Sequence, residues 1–144
     1  PPLWWPWQMG PATLVNLSVT FTPANTAMLG SRLESRVGLR EVSKTIDHNG
    51  NALFRINGQR ILIRGGGWAP DLLQRMSPER HAKELAYVRH LGLNAIRLEG
   101  KLQDEDLFAQ ADAQGILVLP GLCCCDAWQQ WPLWGDEQMT TAAA

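Results

Sequence analysis

The sequence predicts a multidomain β plus α/β chain, with strands of a β-sandwich over residues 1–45 and strand–helix units of a parallel sheet over residues 46–144. Three observations carry this. Apolar residues recur at period two before residue 45, at spacing three from residue 82, and in short runs at 94–98 and 116–119 on either side of a second helical stretch. Period two marks half-buried strands, and alternating strands and helices mark parallel βαβ units.

Taken in order, Leu17, Val19 and Phe21 alternate with polar residues and predict an antiparallel strand within 12–22. Leu33 to Val42 predicts a second, with Gly38 as a bulge and Pro23 and Asn25 supplying turn chemistry between the two. These are too few strands to close a sandwich. Leu53 to Ile56, Asn57-Gly58 and Gln59 to Ile63 form a hairpin signal, because Asn-Gly accepts positive φ at both turn positions. Gly65-Gly66-Gly67 follows; lacking the Lys-Ser/Thr of a phosphate loop, it is expected to let the backbone bend closely after the first parallel strand.

Ser77 with Pro78 opens a helix whose stripe is Ala82, Leu85, Val88 and Leu91, and Gly92 stops it. Residues 94–98 form a buried strand. Asp104 caps a second helix with Glu105 and Asp106 in its first turn, Leu107, Phe108 and Ala111 on one face and Gly115 at its close. Ile116 to Leu119 is a third strand. Three strand–helix units fit into the 99 residues from 46 to 144, whereas a closed eight-unit barrel takes roughly 250. Residues 139–144 read as the opening of another helix, so the chain is expected to be a fragment.

Composition narrows the function classes. With 144 residues, 45% hydrophobic, 19% charged and a net charge of −1, the chain carries no basic field for nucleic acid. No apolar run approaches the roughly 20 residues of a membrane-spanning helix, and residues 1–20 lack the layout of a signal peptide. Cys123, Cys124 and Cys125 are consecutive and have neither metal-ligand spacing nor a distant partner, so a packing role is expected. His48, His81 and His90 share no metal spacing and are expected to be solvated. No metal and no cofactor is implied.

The motifs, in collinear order, resemble glycoside hydrolase family 2, and most of all its exo-β-D-glucosaminidase branch. They are L-W-W-P-W-Q-M-G-P (3–11), V-G-L-R-E-V (37–42), I-N-G-Q-R-I-L-I-R-G-G-G-W-A-P-D-L-L (56–73), L-G-L-N-A-I-R-L-E-G (91–100), D-A-Q-G-I-L-V-L-P-G (112–121) and C-C-D-A-W (124–128). The resemblance implies the end of an immunoglobulin-like β-sandwich followed by the first three βα units of a TIM (β/α)8 barrel. It also implies a retaining exo-β-glycosidase that removes terminal β-1,4-linked glucosamine from chitosan oligosaccharides; the alternatives are a β-mannosidase-like member of the family or a non-catalytic sugar-binding or structural remnant. The acid/base and nucleophile carboxylates would then lie beyond Ala144, so the chain on its own is expected to be inactive. Its partners would be an amino-sugar oligosaccharide and the remaining domains of its own polypeptide.

Barrel enzymes place function at the C-terminal ends of their strands, which selects Gly65 to Asp71, Arg97 to Lys101 and Pro120 to Trp128. The resemblance assigns Glu99 to the substrate amine, through a charge-assisted hydrogen bond; the plainer reading is a solvated glutamate or one paired with Arg97. Related mannosidases carry R-x-W-G here, with Trp in place of Glu99. The resemblance likewise assigns Arg97 to orienting the nucleophile, against a structural ion pair at the rim. Trp68 and Trp128 are placed to line the pocket and Trp131 and Trp134 its wall, since indoles stack on sugar faces. Asp71 and Asp126 hold sugar hydroxyls or cap turns. Trp4, Trp5 and Trp7 are expected to pack the sandwich against a neighbouring domain. In the third loop the family's W-E-C-C-D is replaced by Leu122-Cys123-Cys124-Cys125-Asp126.

Overall fold

The computed structural model describes residues 1–24, 29–73, 75–100 and 103–121. Cys123 to Cys125, Asp126, Trp128, Trp131 and Trp134 lie outside the described residues. The elements are β1 (Val15–Phe21), β2 (Ser31–Val37), β3 (Val42–Ile46), β4 (Ala52–Ile56), β5 (Gln59–Ile61), β6 (Gly65–Trp68), α1 (Pro78–His90), β7 (Ala95–Leu98), α2 (Glu105–Gln114) and β8 (Leu117–Leu119). Strands β1-β2 and β3-β4-β5 form antiparallel sheets, and β6-β7-β8 form a parallel one.

The β1–β2 ribbon pairs Leu17 with Ser35 and Val19 with Leu33. The period-two face is present but exposed: Leu17, Val19, Phe21 and Leu33 all face solvent. The strand expected over 33–42 divides in two. Gly38 is a break and not a bulge, because Trp4 occupies the space beside it: a Cβ there would lie 2.6 Å from Trp4 Cδ1. The Leu39 carbonyl accepts the Trp4 backbone N–H at 2.8 Å. Strand β3 then crosses residue 45 and pairs with β4, Val42 opposite Ile56 and Ile46 opposite Ala52. Its turn is built on Asp47, whose carboxylate accepts the backbone N–H groups of Asn49 and Asn51. The β4–β5 turn has φ of 50° at Asn57 and 79° at Gly58, the geometry that Asn-Gly is suited to.

The glycine run corrects the sequence expectation. Residues 65–68 are not a loop after the first parallel strand; they are that strand, Gly65 opposite Ala95 and Gly67 opposite Arg97. Glycine has poor strand propensity, so the reason is tertiary: a Cβ on Gly65 would meet the Ala95 carbonyl oxygen at 2.6 Å.

Helix α1 begins where expected, with Ser77 Oγ accepting the Arg80 N–H, and α2 with Asp104 accepting from Leu107. Gly115 closes α2 in the left-handed region, φ 71°. The buried face of α1 is His81, Leu85 and Val88, while Leu91 is exposed. With Leu98, Ile96, Leu107, Ala111 and Ile116 these apolar residues form one core between helices and parallel sheet.

The N-terminal segment fastens this unit at the end where its strands start. Trp4 Nε1 donates to Asp112 O at 2.7 Å, Trp7 Nε1 to Leu93 O at 2.9 Å and Gln8 Nε2 to Gly92 O at 2.9 Å. Asn57 Nδ2 donates to the Trp4 carbonyl, and Arg40 stacks over the Trp4 ring while pairing with Asp112. Trp4 is fully buried. These tryptophans therefore join the antiparallel strands to the helical unit.

Candidate functional site

Alternation along β7 sets the chemistry. Ile96 and Leu98 point into the core, and Arg97 emerges on the opposite face with Glu99 just beyond the strand end. Glycines at 65 and 67 keep that face clear on the neighbouring strand, and Glu99 Oε2 lies 3.2 Å from where a Gly67 Cβ would stand. Glu99 is anchored by its backbone N–H, which donates to the Trp68 carbonyl at 3.4 Å.

Arg97 Nη1 stands 3.6 Å from Glu99 Oε1, with the two side chains 50% and 52% exposed. A pair this solvated is worth about 0–1 kcal/mol, too little by itself to fix the Glu99 carboxylate. Glu99 keeps acceptor capacity for a third partner, and a carboxylate beside a guanidinium at the C-terminal end of a parallel strand can hold a cationic or hydroxyl-rich ligand.

Trp68 and Asp71 are not brought to this pair. In-register pairing puts Trp68 on the same face as Leu98, and its indole packs on the core, donates Nε1–H to Glu84 Oε2 at 2.9 Å and meets the His81 ring edge-on. Asp71 accepts the Leu73 N–H at 2.8 Å and Arg80 Nη1 at 2.6 Å, with Arg75 farther off. The Arg80 hydrogen bond, followed by the Leu73 N–H, holds the Asp71 carboxyl at about 2, below its ordinary 3.8. Asp71 is thus the turn-capping group of the loop after β6. Asp126 and Trp128, the remaining expected site residues, lie outside the described residues.

Sequence reasoning missed Arg80, Glu84 and His81. The i, i+4 spacing of Arg80 and Glu84 was available as a signal, and their 2.6 Å ion pair realises it. His81 is 1% exposed and not solvated, because Asp106 approaches its Nδ1 to 2.9 Å from α2. His48 and His90 are exposed. Among the described residues, His81, Asp104 and Asp106 place ligand-type atoms within 4.8 Å of one another. Their polar atoms already serve the helices: Asp104 caps α2 and Asp106 receives His81. The N-terminal dipole of α2 also opposes a cation there.

No family model matches the chain. An exo-β-D-glucosaminidase of Amycolatopsis orientalis is 39% identical over 129 residues, 90% of this chain and 12% of that enzyme. A mannosylglycoprotein endo-β-mannosidase of Lilium longiflorum is 31% identical over 140 residues, 94% of this chain and 14% of its own length. Among solved structures, a complex of the A. orientalis exo-chitosanase CsxA with PNP-β-D-glucosamine superposes with a TM-score of 0.81 at 37% identity, over 94% of this chain and 16% of that one. The chain therefore spans about one-eighth of the length of the glucosaminidase it matches. The resemblance to glycoside hydrolase family 2 and its exo-β-D-glucosaminidases that the motifs carry thus holds, in sequence and in fold, over nearly the whole chain.

Proposed function

We propose that this chain is the substrate-recognising part of a retaining exo-β-glycosidase that removes terminal β-1,4-linked glucosamine from chitosan oligosaccharides. Residues 1–45 would belong to the end of an immunoglobulin-like sandwich and residues 46–144 to the first three βα units of a TIM barrel, with the β3-β4-β5 sheet straddling the two. The observation that carries the reading is Glu99: a carboxylate at the C-terminal end of β7, seated over Gly67, half-exposed and only loosely paired.

In this reading Glu99 accepts a hydrogen bond from the glucosamine ammonium, and Arg97 holds the nucleophilic carboxylate ionised and aimed. An arginine stays charged at any working pH, and its planar fork suits a carboxylate. Trp128 and Asp126 are the further sugar-contacting residues of this proposal, while Trp68 and Asp71 take no part in the pocket and instead hold the end of β6 and its following loop to α1. Retention needs two carboxylates about 5–5.5 Å apart, one as nucleophile and one as acid then base, and both are supplied by later segments of the polypeptide.

The test is hydrolysis of aryl β-glucosaminide and its neutral glucoside analogue by the longer enzyme, before and after Glu99→Gln. The expected result is a loss of about 10²-fold on the amino sugar, the scale of a charge-assisted hydrogen bond of about 1.5–3 kcal/mol, and a small loss on the neutral one. Equal losses overturn the amine role. The β-mannosidase similarity supports a second reading, a mannoside-cleaving enzyme, which preference for aryl mannoside would establish.

A further inference from the structure

Arg80 occupies the first turn of α1, where the helix dipole disfavours a cation. Its surroundings account for its presence there. Nη1 donates to Asp71 Oδ2 and Nε to Glu84 Oε1, each at 2.6 Å. The other Glu84 oxygen accepts the Trp68 indole N–H at 2.9 Å, and the other Asp71 oxygen accepts the Leu73 N–H at 2.8 Å. One guanidinium therefore joins the turn that follows β6 to the helix side chain that grips the last residue of β6. That same residue receives the Glu99 N–H on its carbonyl, and its neighbour Gly67 underlies the Glu99 carboxylate.

We propose that Arg80 is a positioning residue for the Glu99 site, acting through the Asp71–Arg80–Glu84–Trp68 chain to fix where the end of β6 seats Glu99. The inference rests on the reading of Glu99 as the amine-binding group. Arginine suits the task better than lysine because two carboxylates are engaged at once by a rigid fork. Arg80 touches no substrate; loosening it shifts the seat of Glu99 and so weakens recognition of the amino group more than the chemistry itself.

The experiment uses the longer enzyme with aryl β-glucosaminide and its neutral glucoside analogue, comparing wild type, Arg80→Met, Arg80→Lys, Glu99→Gln and the double variant Arg80→Met/Glu99→Gln. Arg80→Met is expected to raise KM for the glucosaminide about tenfold with kcat changed less than about twofold, the pattern of a displaced binding group. Selectivity for the amino sugar falls, Arg80→Lys restores part of it, and the double variant is no worse than Glu99→Gln, since both changes act on one group. A purely structural role would instead multiply the two losses and depress both substrates alike. Should Arg80→Met not fold, Asp71→Asn breaks the same chain from its other end and is read in the same way. Wild-type amino selectivity that survives Arg80→Met, or multiplying losses, overturns the inference while leaving the Glu99 reading intact. A wild type with no amino selectivity overturns both.

Discussion

The Trp4 indole donates its N–H to the carbonyl of Asp112, 108 positions away, at 2.7 Å. This one bond ties the beginning of the chain to the end of α2, and Trp4 is fully buried around it. The same side chain excludes any Cβ at Gly38 and carries the Arg40 guanidinium 4.3 Å above its ring. It lies at the end of the parallel sheet opposite Glu99.

Trp4→Ala is accordingly expected to cost about 3–5 kcal/mol, the range for deleting a buried large aromatic. Trp4→Phe keeps an aromatic ring but leaves the Asp112 carbonyl without its donor, costing about 1–3 kcal/mol. Urea unfolding midpoints check both, and a Trp4→Phe midpoint equal to that of wild type would contradict the role given to the N–H.

The glycine strand supplies a paired test. A Cβ at Gly65 meets the backbone of Ala95, its carbonyl oxygen at 2.6 Å, whereas a Cβ at Gly66 meets nothing within 4 Å. Gly65→Ala is expected to separate β6 from β7 and lower the thermal midpoint. Gly66→Ala is expected to leave it unchanged or raise it, because the unfolded chain loses freedom. Differential scanning fluorimetry on the two variants decides it; a tolerated Gly65→Ala would mean that the strands are not held this closely.

Those glycines also show what a sequence conveys. The Asn57-Gly58 turn, the Ser77 and Asp104 caps and the Gly115 stop were legible because each is satisfied within a few residues of itself. Strand β6 was not, since Gly65 answers to Ala95, some thirty residues on. His81 looked like a surface histidine because its partner Asp106 sits on another helix; of the expected α1 stripe, Leu85 and Val88 are buried, His81 takes the place given to Ala82, and Leu91 is exposed. At the site, the strand-end rule singled out Arg97 and Glu99, and the structure puts Arg97 in the last half of β7 and Glu99 directly after it. The rule could not say that Trp68, one pleat out of phase with Gly67, would face α1.

Acid titration should expose Asp71. Its carboxyl is held at about 2 in the folded chain against an ordinary 3.8, with the Arg80 hydrogen bond as the chief cause. Folding therefore favours the ionised form. The stabilisation is complete above about pH 4 and disappears as pH falls toward 2, since a protonated carboxyl no longer attracts Arg80. Asp47 and Glu79 are lowered in the same direction, so the informative quantity is the difference between wild type and Asp71→Asn. That difference is expected to be constant above pH 4 and to shrink below it. A difference that grows with acidification would contradict the Asp71–Arg80 pairing.

The seat of Glu99 can be tested without touching a charge. A Cβ added at Gly67 comes 3.2 Å from Glu99 Oε2, the far end of a flexible side chain, so the carboxylate gives way and the strand does not. Gly67→Ala should leave the thermal midpoint within about 1 °C, since no buried backbone is displaced and the surface ion pair to Arg97 is worth little. In the longer enzyme it should raise KM for aryl β-glucosaminide several-fold, the cost of moving a binding group by a few tenths of an ångström, and leave kcat nearly unchanged. The neutral glucoside should respond less, because it offers no ammonium for the displaced carboxylate to miss. If instead Gly67→Ala unfolds the protein, the glycine is needed for strand pairing, as at Gly65. If it alters both substrates equally, Glu99 recognises a feature the two sugars share and not the amine.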